Sequence, residues 1–99
     1  MDVYKITLNF PESEKFGLSS QLRRASVSVP SNIAEGCSRK SNKEFGRFSE
    51  IAIGSMYEME SQLLISMDLN FIKNDELELL LSKLSSLIKM TSKFKSTLR

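Results

Sequence analysis

Apolar side chains return every three or four residues through three stretches of this chain. In the last third, Leu77, Leu81, Leu84, Ile88, Thr91, Phe94 and Leu98 fall on one face of a helix. Asn74 or Asp75 precedes the series as an N-cap, with acids in the first turn and lysines in the last, the polarity a helix dipole favours. The spacing predicts a helix over about 75–97. A second series, Phe45, Phe48, Ala52, Ser55 or Met56, Met59, Leu63 and Met67, predicts another from about Lys43 to Leu69. Ser41 or Asn42 caps its start, and Glu44 lies in its first turn. "DLNFIKND" breaks the pattern and reads as the connection between the two.

The stretch "SVSVPSNIAEGCSRKSNKEF" at 26–45 is less plain. Ser26 to Val29 alternate as a strand does, Pro30 follows, and the end is basic. A hairpin edge, a kinked helix entering a loop and a phosphate-binding turn are all open on that basis. Leu18, Leu22, Ala25, Val29 and Ile33 decide among them, because they form one helical stripe on both sides of Pro30. A strand explains 26–29; a helix explains 18–35. Proline removes one backbone donor and clashes with the carbonyl four residues back, so a kink is expected there at a cost of ~3 kcal/mol or more. Gly36 reads as the C-terminal signal. Ahead of this helix "NFPESEKFG" is a turn-rich connector, and residues 2–9 hold at most two helical turns. Isolated helices generally need ~12–15 residues. Short connections make neighbours antiparallel. The expected fold is all-α: a single domain over 1–99, an antiparallel up-down four-helix bundle with a shortened first helix and a proline-kinked second helix.

Composition narrows the classes. The chain has 99 residues, the size of one domain, and an apolar fraction of 40% that supports one modest core. Glycine and proline are scarce, against a many-turn β architecture. Cys37 is the single cysteine and histidine is absent, so an internal disulfide and the usual zinc sites are excluded and a reducing compartment is expected. "MDVYKITLNFPESEKF" has neither the basic start nor the apolar centre of a signal peptide. No uncharged apolar run approaches the ~18 residues of a membrane span. A soluble, cytoplasmic protein is expected, with no cofactor, no metal and no membrane partner.

The net charge of +2 conceals strong segregation. Residues 23–47 hold Arg23, Arg24, Arg39, Lys40, Lys43 and Arg47 against Glu35 and Glu44. Residues 48–78 hold Lys73 against Glu50, Glu58, Glu60, Asp68, Asp75, Glu76 and Glu78. Residues 79–99 carry Lys83, Lys89, Lys93, Lys95 and Arg99 with no acid. Such asymmetry creates local potential.

"FP" at 10–11, "FGLSSQLRRASVSVPSNIAEG" at 16–36, "EFGRFSEIAIGS" at 44–55 and "EMESQL" at 58–63 together resemble the bacterial four-helix-bundle proteins encoded in 23S rRNA intervening sequences, some of which carry a ribosomal-protein label. More distantly, the chain is similar to the accessory variability determinant of diversity-generating retroelements. The resemblance covers residues 10 to about 65 and reaches the last helix by pattern alone. It implies a four-helix bundle, homo-oligomers that in some relatives are ring-like pentamers, nucleic acid as partner with RNA favoured, and no established enzymatic activity. Two departures stand out. Relatives carry a long first helix before the FP motif, where this chain has "MDVYKITLN", and position 37, aromatic in relatives, is Cys37. The first bears on the fourth helix and the oligomer, the second on a packing contact. A misplaced gene start is one reading of the first.

Candidate chemistry is electrostatic. Arg39, Lys40, Lys43 and Arg47 cluster at the junction of the second and third helices, with Arg23 contributing from the preceding face. Together with free N–H groups near Lys43, such a cluster attracts phosphate; a solvated loop is the plainer alternative. Phe45 and Phe48 belong to the core stripe, so contact with backbone or shape is expected rather than base stacking. Gln21, Arg24, Asn32, Glu35 and Glu58 form a candidate polar network, read as structural, in which Arg24 could pair bidentately with Glu58 between helices. The lysines of the last helix read as a solvated face, or as a surface meeting the acidic segment of another copy. Met56, Met59, Met67 and Met90 read as core filler and Cys37 as a small packing residue. No histidine, Walker or GxGxxG motif is present, and the acids do not match a di-iron set, so no enzyme is expected. The expected function is non-enzymatic: a homo-oligomer binding RNA or DNA through its phosphates, or alternatively an adaptor docking a protein such as a reverse transcriptase. Three long helices with one stub should also leave an apolar groove.

Overall fold

The structure, a computed structural model, describes residues 2–98. Four α-helices follow in order: α1 (Asp2–Thr7), α2 (Leu18–Cys37), α3 (Asn42–Asp68) and α4 (Asn74–Ser96), with a short 3-10 turn at Glu12–Glu14. No strand occurs among the described residues, and Ser26–Val29 lie within α2, which continues through Pro30.

Each helix end has a local cause. The Glu14 carboxylate accepts a hydrogen bond from the Leu18 N–H (3.1 Å) at the start of α2. Ser41 caps α3 by accepting from the Glu44 N–H (3.2 Å). The end of α3 is a Schellman turn: the Asn70 N–H donates to Met67 O and the Phe71 N–H to Ser66 O, both at 2.8 Å. Asn70 takes the left-handed conformation this requires, at φ 63°. Helix α4 begins one residue before the predicted boundary. Lys73, in extended conformation, occupies the cap position, and its N–H is satisfied by the Glu76 carboxylate at 3.3 Å. The first-turn N–H of Glu76, which a cap side chain would otherwise serve, donates to Asp75 Oδ1 (3.0 Å), so Asp75 accepts from inside the helix rather than from the cap position.

Ser28 meets Ser55 across α2 and α3 (2.8 Å), while Gly36 lies against Phe45 and Phe48. Advancing along one helix therefore retreats along the other, and the pair is antiparallel. Phe45 in the first turn of α3 packs on Phe94 in the last turn of α4 (5.1 Å between ring centres), so these two helices, joined by a short turn, are antiparallel as well. Helix α3 lies in the middle, packed against α2 on one side and α4 on the other, and α1 rests on α2. Leu22, Met56 and Leu63 form the fully buried centre. Around it pack Leu18, Ala25, Met59, Leu77, Leu84, Ile88 and the unanticipated Leu80. Phe10, the aromatic of the FP pair, is buried at one end and packs on Phe71 of the α3–α4 turn (5.4 Å).

Several sequence readings change here. Gly36 is the penultimate residue of α2, in helical conformation with no positive φ, so it does not end the helix through a left-handed turn. A Cβ on it would stand 2.8 Å from Phe45 Cδ1, so the glycine serves close approach of two helices. Met90 and Cys37 are exposed rather than packed, and Val29 and Ile33 are half-buried. The reason is common to most of them. Helices α2 and α4 do not pack backbone to backbone, so the outer parts of their stripes meet a groove or solvent. That apolar groove, about 240 Å³, runs between Val29 and Pro30 on one wall and Leu80 and Leu87 on the other, over Met56, with Val3 of α1 at its end. No helix among the described residues is long and apolar enough to cross a membrane.

Candidate nucleic-acid interface

The basic junction forms where α2 ends at Cys37 and α3 restarts at Asn42. Arg39 in the intervening loop is already engaged, pairing with the Glu35 carboxylate one turn back and lying over the Phe48 ring at 5.0 Å. Lys40 is exposed in the same loop. Lys43 and Arg47, both exposed, stand one turn apart on α3, a spacing that puts them on one face.

That face opens into a cleft of about 880 Å³ between the first turns of α3 and the last turns of α4. Lys43, Arg47 and Glu50 lie on one wall, and Ser92, Lys95 and Ser96 on the other. Lys95 Nζ stands 2.6 Å from Glu50 Oε1. This hydrogen bond and the lysine charge, with a smaller contribution from Arg47, hold the Glu50 carboxyl below its ordinary range. A depressed carboxylate pKa favours the folded pair above the unfolded value, and that contribution is lost as pH falls through the folded one. Gly46, on the cleft wall, has open space where a Cβ would be.

Lys95 belongs to the cleft, yet sequence reading assigned it to a separate, solvated face. The signal was present in the connection. An antiparallel pair joined by a tight turn near Asn70 places residues nearly equally far from that turn side by side, Phe45 and Phe94 among them, and Lys95 next to Phe94 reaches Glu50 from there. Lys89 and Lys93 are exposed, and Arg99 lies outside the described residues.

Arg23 is elsewhere. It sits in the second turn of α2, some sixteen residues and ~24 Å of helix from the junction. Its Nε donates to Thr7 Oγ1 (2.8 Å) and its guanidinium lies over the Tyr4 ring (5.1 Å), so it fastens α1 to α2.

The five residues of the candidate polar network do not join into one. Gln21 and Arg24 are exposed on α2, the Glu35 carboxylate serves Arg39, and the Glu58 carboxylate accepts from Gln62 Nε2 on its own helix (3.2 Å). Among the described residues no ion pair joins Arg24 to Glu58, because two residues beyond Leu22 the α2 surface has turned away from α3. Asn32 bonds within its own helix, to the serine that makes the contact with α3. Its Nδ2 donates to Ser28 O (2.8 Å) and Ser28 Oγ (2.9 Å), and Ser28 meets Ser55. Ser55, on the predicted stripe, is buried, and buried Ser49 and Ser66 are the missed feature. Ser49, Ser55 and Ser66 each turn the hydroxyl back to a carbonyl four residues earlier, which keeps the contact surface small without an orphaned polar group. Gln62 Oε1 is the exception, buried with no partner among the described residues.

No group of three His, Cys, Asp or Glu side chains among the described residues could hold a metal ion. The sequence model of a family described as 23S rRNA-intervening sequence protein matches residues 1–93 of the chain. No curated protein matches it.

Proposed function

The chain belongs to the 23S rRNA-intervening sequence protein family, and from that premise we propose that it is a non-enzymatic, self-associating bundle that binds nucleic acid, RNA before DNA, through the phosphate backbone. The observation that carries the reading is the convergence of Lys43, Arg47 and Lys95 on one open cleft, with Lys40 at its approach. Of these, the exposed Lys43 and Arg47 can exchange small counterions for phosphates, Lys95 is paired with Glu50, and no aromatic side chain lines the cleft to read bases. Self-association repeats this weak site on each subunit, multiplying affinity without new contacts.

The test is a gel-shift titration with a structured RNA across salt concentration. Log affinity is expected to fall linearly with log salt, with a slope of about −0.7 to −0.9 per phosphate engaged. Replacing Lys40, Lys43 and Arg47 by alanine together is expected to flatten the slope and abolish binding near physiological salt. Binding indifferent to salt, or absent at low salt, would defeat the proposal. The alternative, an adaptor for a protein partner such as a reverse transcriptase, draws support from the apolar groove between α2 and α4. In that case pull-down of the partner would persist in the cleft variant and fail when the groove is altered.

A further inference from the structure

Glu50 is an acid placed among cations, and on an exposed surface it has no need of them. Its carboxylate stands on the α3 wall one turn beyond Arg47 and spans the cleft to Lys95. Two hydroxyls, of Ser92 and Ser96, line the α4 wall beside that lysine, and Gly46 leaves the α3 wall open. Removing the carboxylate in imagination leaves Arg47, Lys95, Lys43 and the Ser92 hydroxyl around one space, a donor set suited to a phosphodiester.

We infer that Glu50 is a built-in phosphate mimic: it holds Lys95 in the unliganded cleft, and a backbone phosphate of a bound nucleic acid displaces it to bridge Arg47 and Lys95. The inference rests on the nucleic-acid reading above and adds the site's occupant and its control. The carboxylate and the phosphate present like oxygens to the same two cations, so one excludes the other. The pair is solvent-exposed on both sides, Lys95 at 38% and Glu50 at 61% of the side chain, and exposed pairs of this kind hold each other weakly. A phosphate can therefore open it at modest cost. The internal acid keeps Lys95 ordered across the cleft while weakening capture of stray anions.

Fluorescence anisotropy with a labelled RNA hairpin tests this, using the full chain, Glu50→Gln, the double variant Lys43→Ala/Arg47→Ala, and Glu78→Gln as a control. Glu78 lies in the first turns of α4, ~25 Å along the helix from Lys95, and its change alters net charge equally. Glu50→Gln is expected to bind about three- to tenfold more tightly and to steepen the salt slope by up to about one unit, since the carboxylate displaced in the parent takes up a cation from solution and the variant's amide does not. Glu78→Gln should leave the slope unchanged. If Lys43→Ala/Arg47→Ala loses binding while Glu50→Gln matches the parent or merely equals Glu78→Gln, the displacement is overturned and the nucleic-acid reading stands. If neither the parent nor Glu50→Gln binds at low salt, both fall.

Discussion

Asn70 and Gly36 are single positions on which larger geometry turns, for opposite reasons. Asn70 holds φ 63°, where most side chains meet their own backbone. Replacing it by valine is expected to lower stability by about 1–2 kcal/mol, and by glycine to leave it nearly unchanged, as read by urea denaturation. Gly36 has an ordinary backbone but no room, since a methyl group there would stand 2.8 Å from Phe45 Cδ1. Gly36→Ala should therefore cost about 1–3 kcal/mol through displacement of α3. Gly54, in α3 with nothing within 4 Å, should respond the other way, Gly54→Ala adding about 0.5–1 kcal/mol. Helix propensity alone would give both substitutions the same sign. Sequence could mark these residues as turn formers, but not tell crowding from conformation, because crowding is a property of the neighbouring helix.

Among the elements, α1 is the one that cannot stand alone. Six residues do not sustain a helix in water, so its order depends on Val3 in the core and on the Arg23 contacts to Thr7 and Tyr4. Arg23→Met is expected to strip amide protection from α1 in hydrogen exchange while leaving α3 and RNA affinity close to the parent. A parallel loss of RNA binding would instead place Arg23 in the interface. The longer helices were legible from their periodic stripes, and so were most buried positions of α3, where Ala52, Met56, Met59 and Leu63 all fall inside. The stripe of α4 was read too narrowly. Leu80 is buried, while Leu79, Leu87 and Met90 widen its apolar arc on the exposed side. Period identifies a face, but its width depends on how many neighbours the helix has.

For the molecule as a whole, three long helices in a 43 × 24 × 18 Å body leave the α2–α4 groove open to water. An apolar recess walled in part by exposed Leu87 favours association with another surface. Light scattering is expected to report an oligomer, and Leu87→Glu on the groove wall to shift it toward monomer with helicity retained. A parent chain that is monomeric at every concentration would remove self-association from the proposed function.

The sequence by itself determined the helices, their order and their antiparallel succession, since caps, periodicity and short connections act within a few residues. It also determined where charge is concentrated along the chain. Only the tertiary structure decided which charges meet. The register of α3 against α4 brings Lys95 into the cleft beside Arg47 and joins it to Glu50, while the position of α1 claims Arg23 for the fold. Local pattern fixes what each helix offers; the angle and register at which helices pack fix what stands within a few ångströms, and electrostatic chemistry acts at that range.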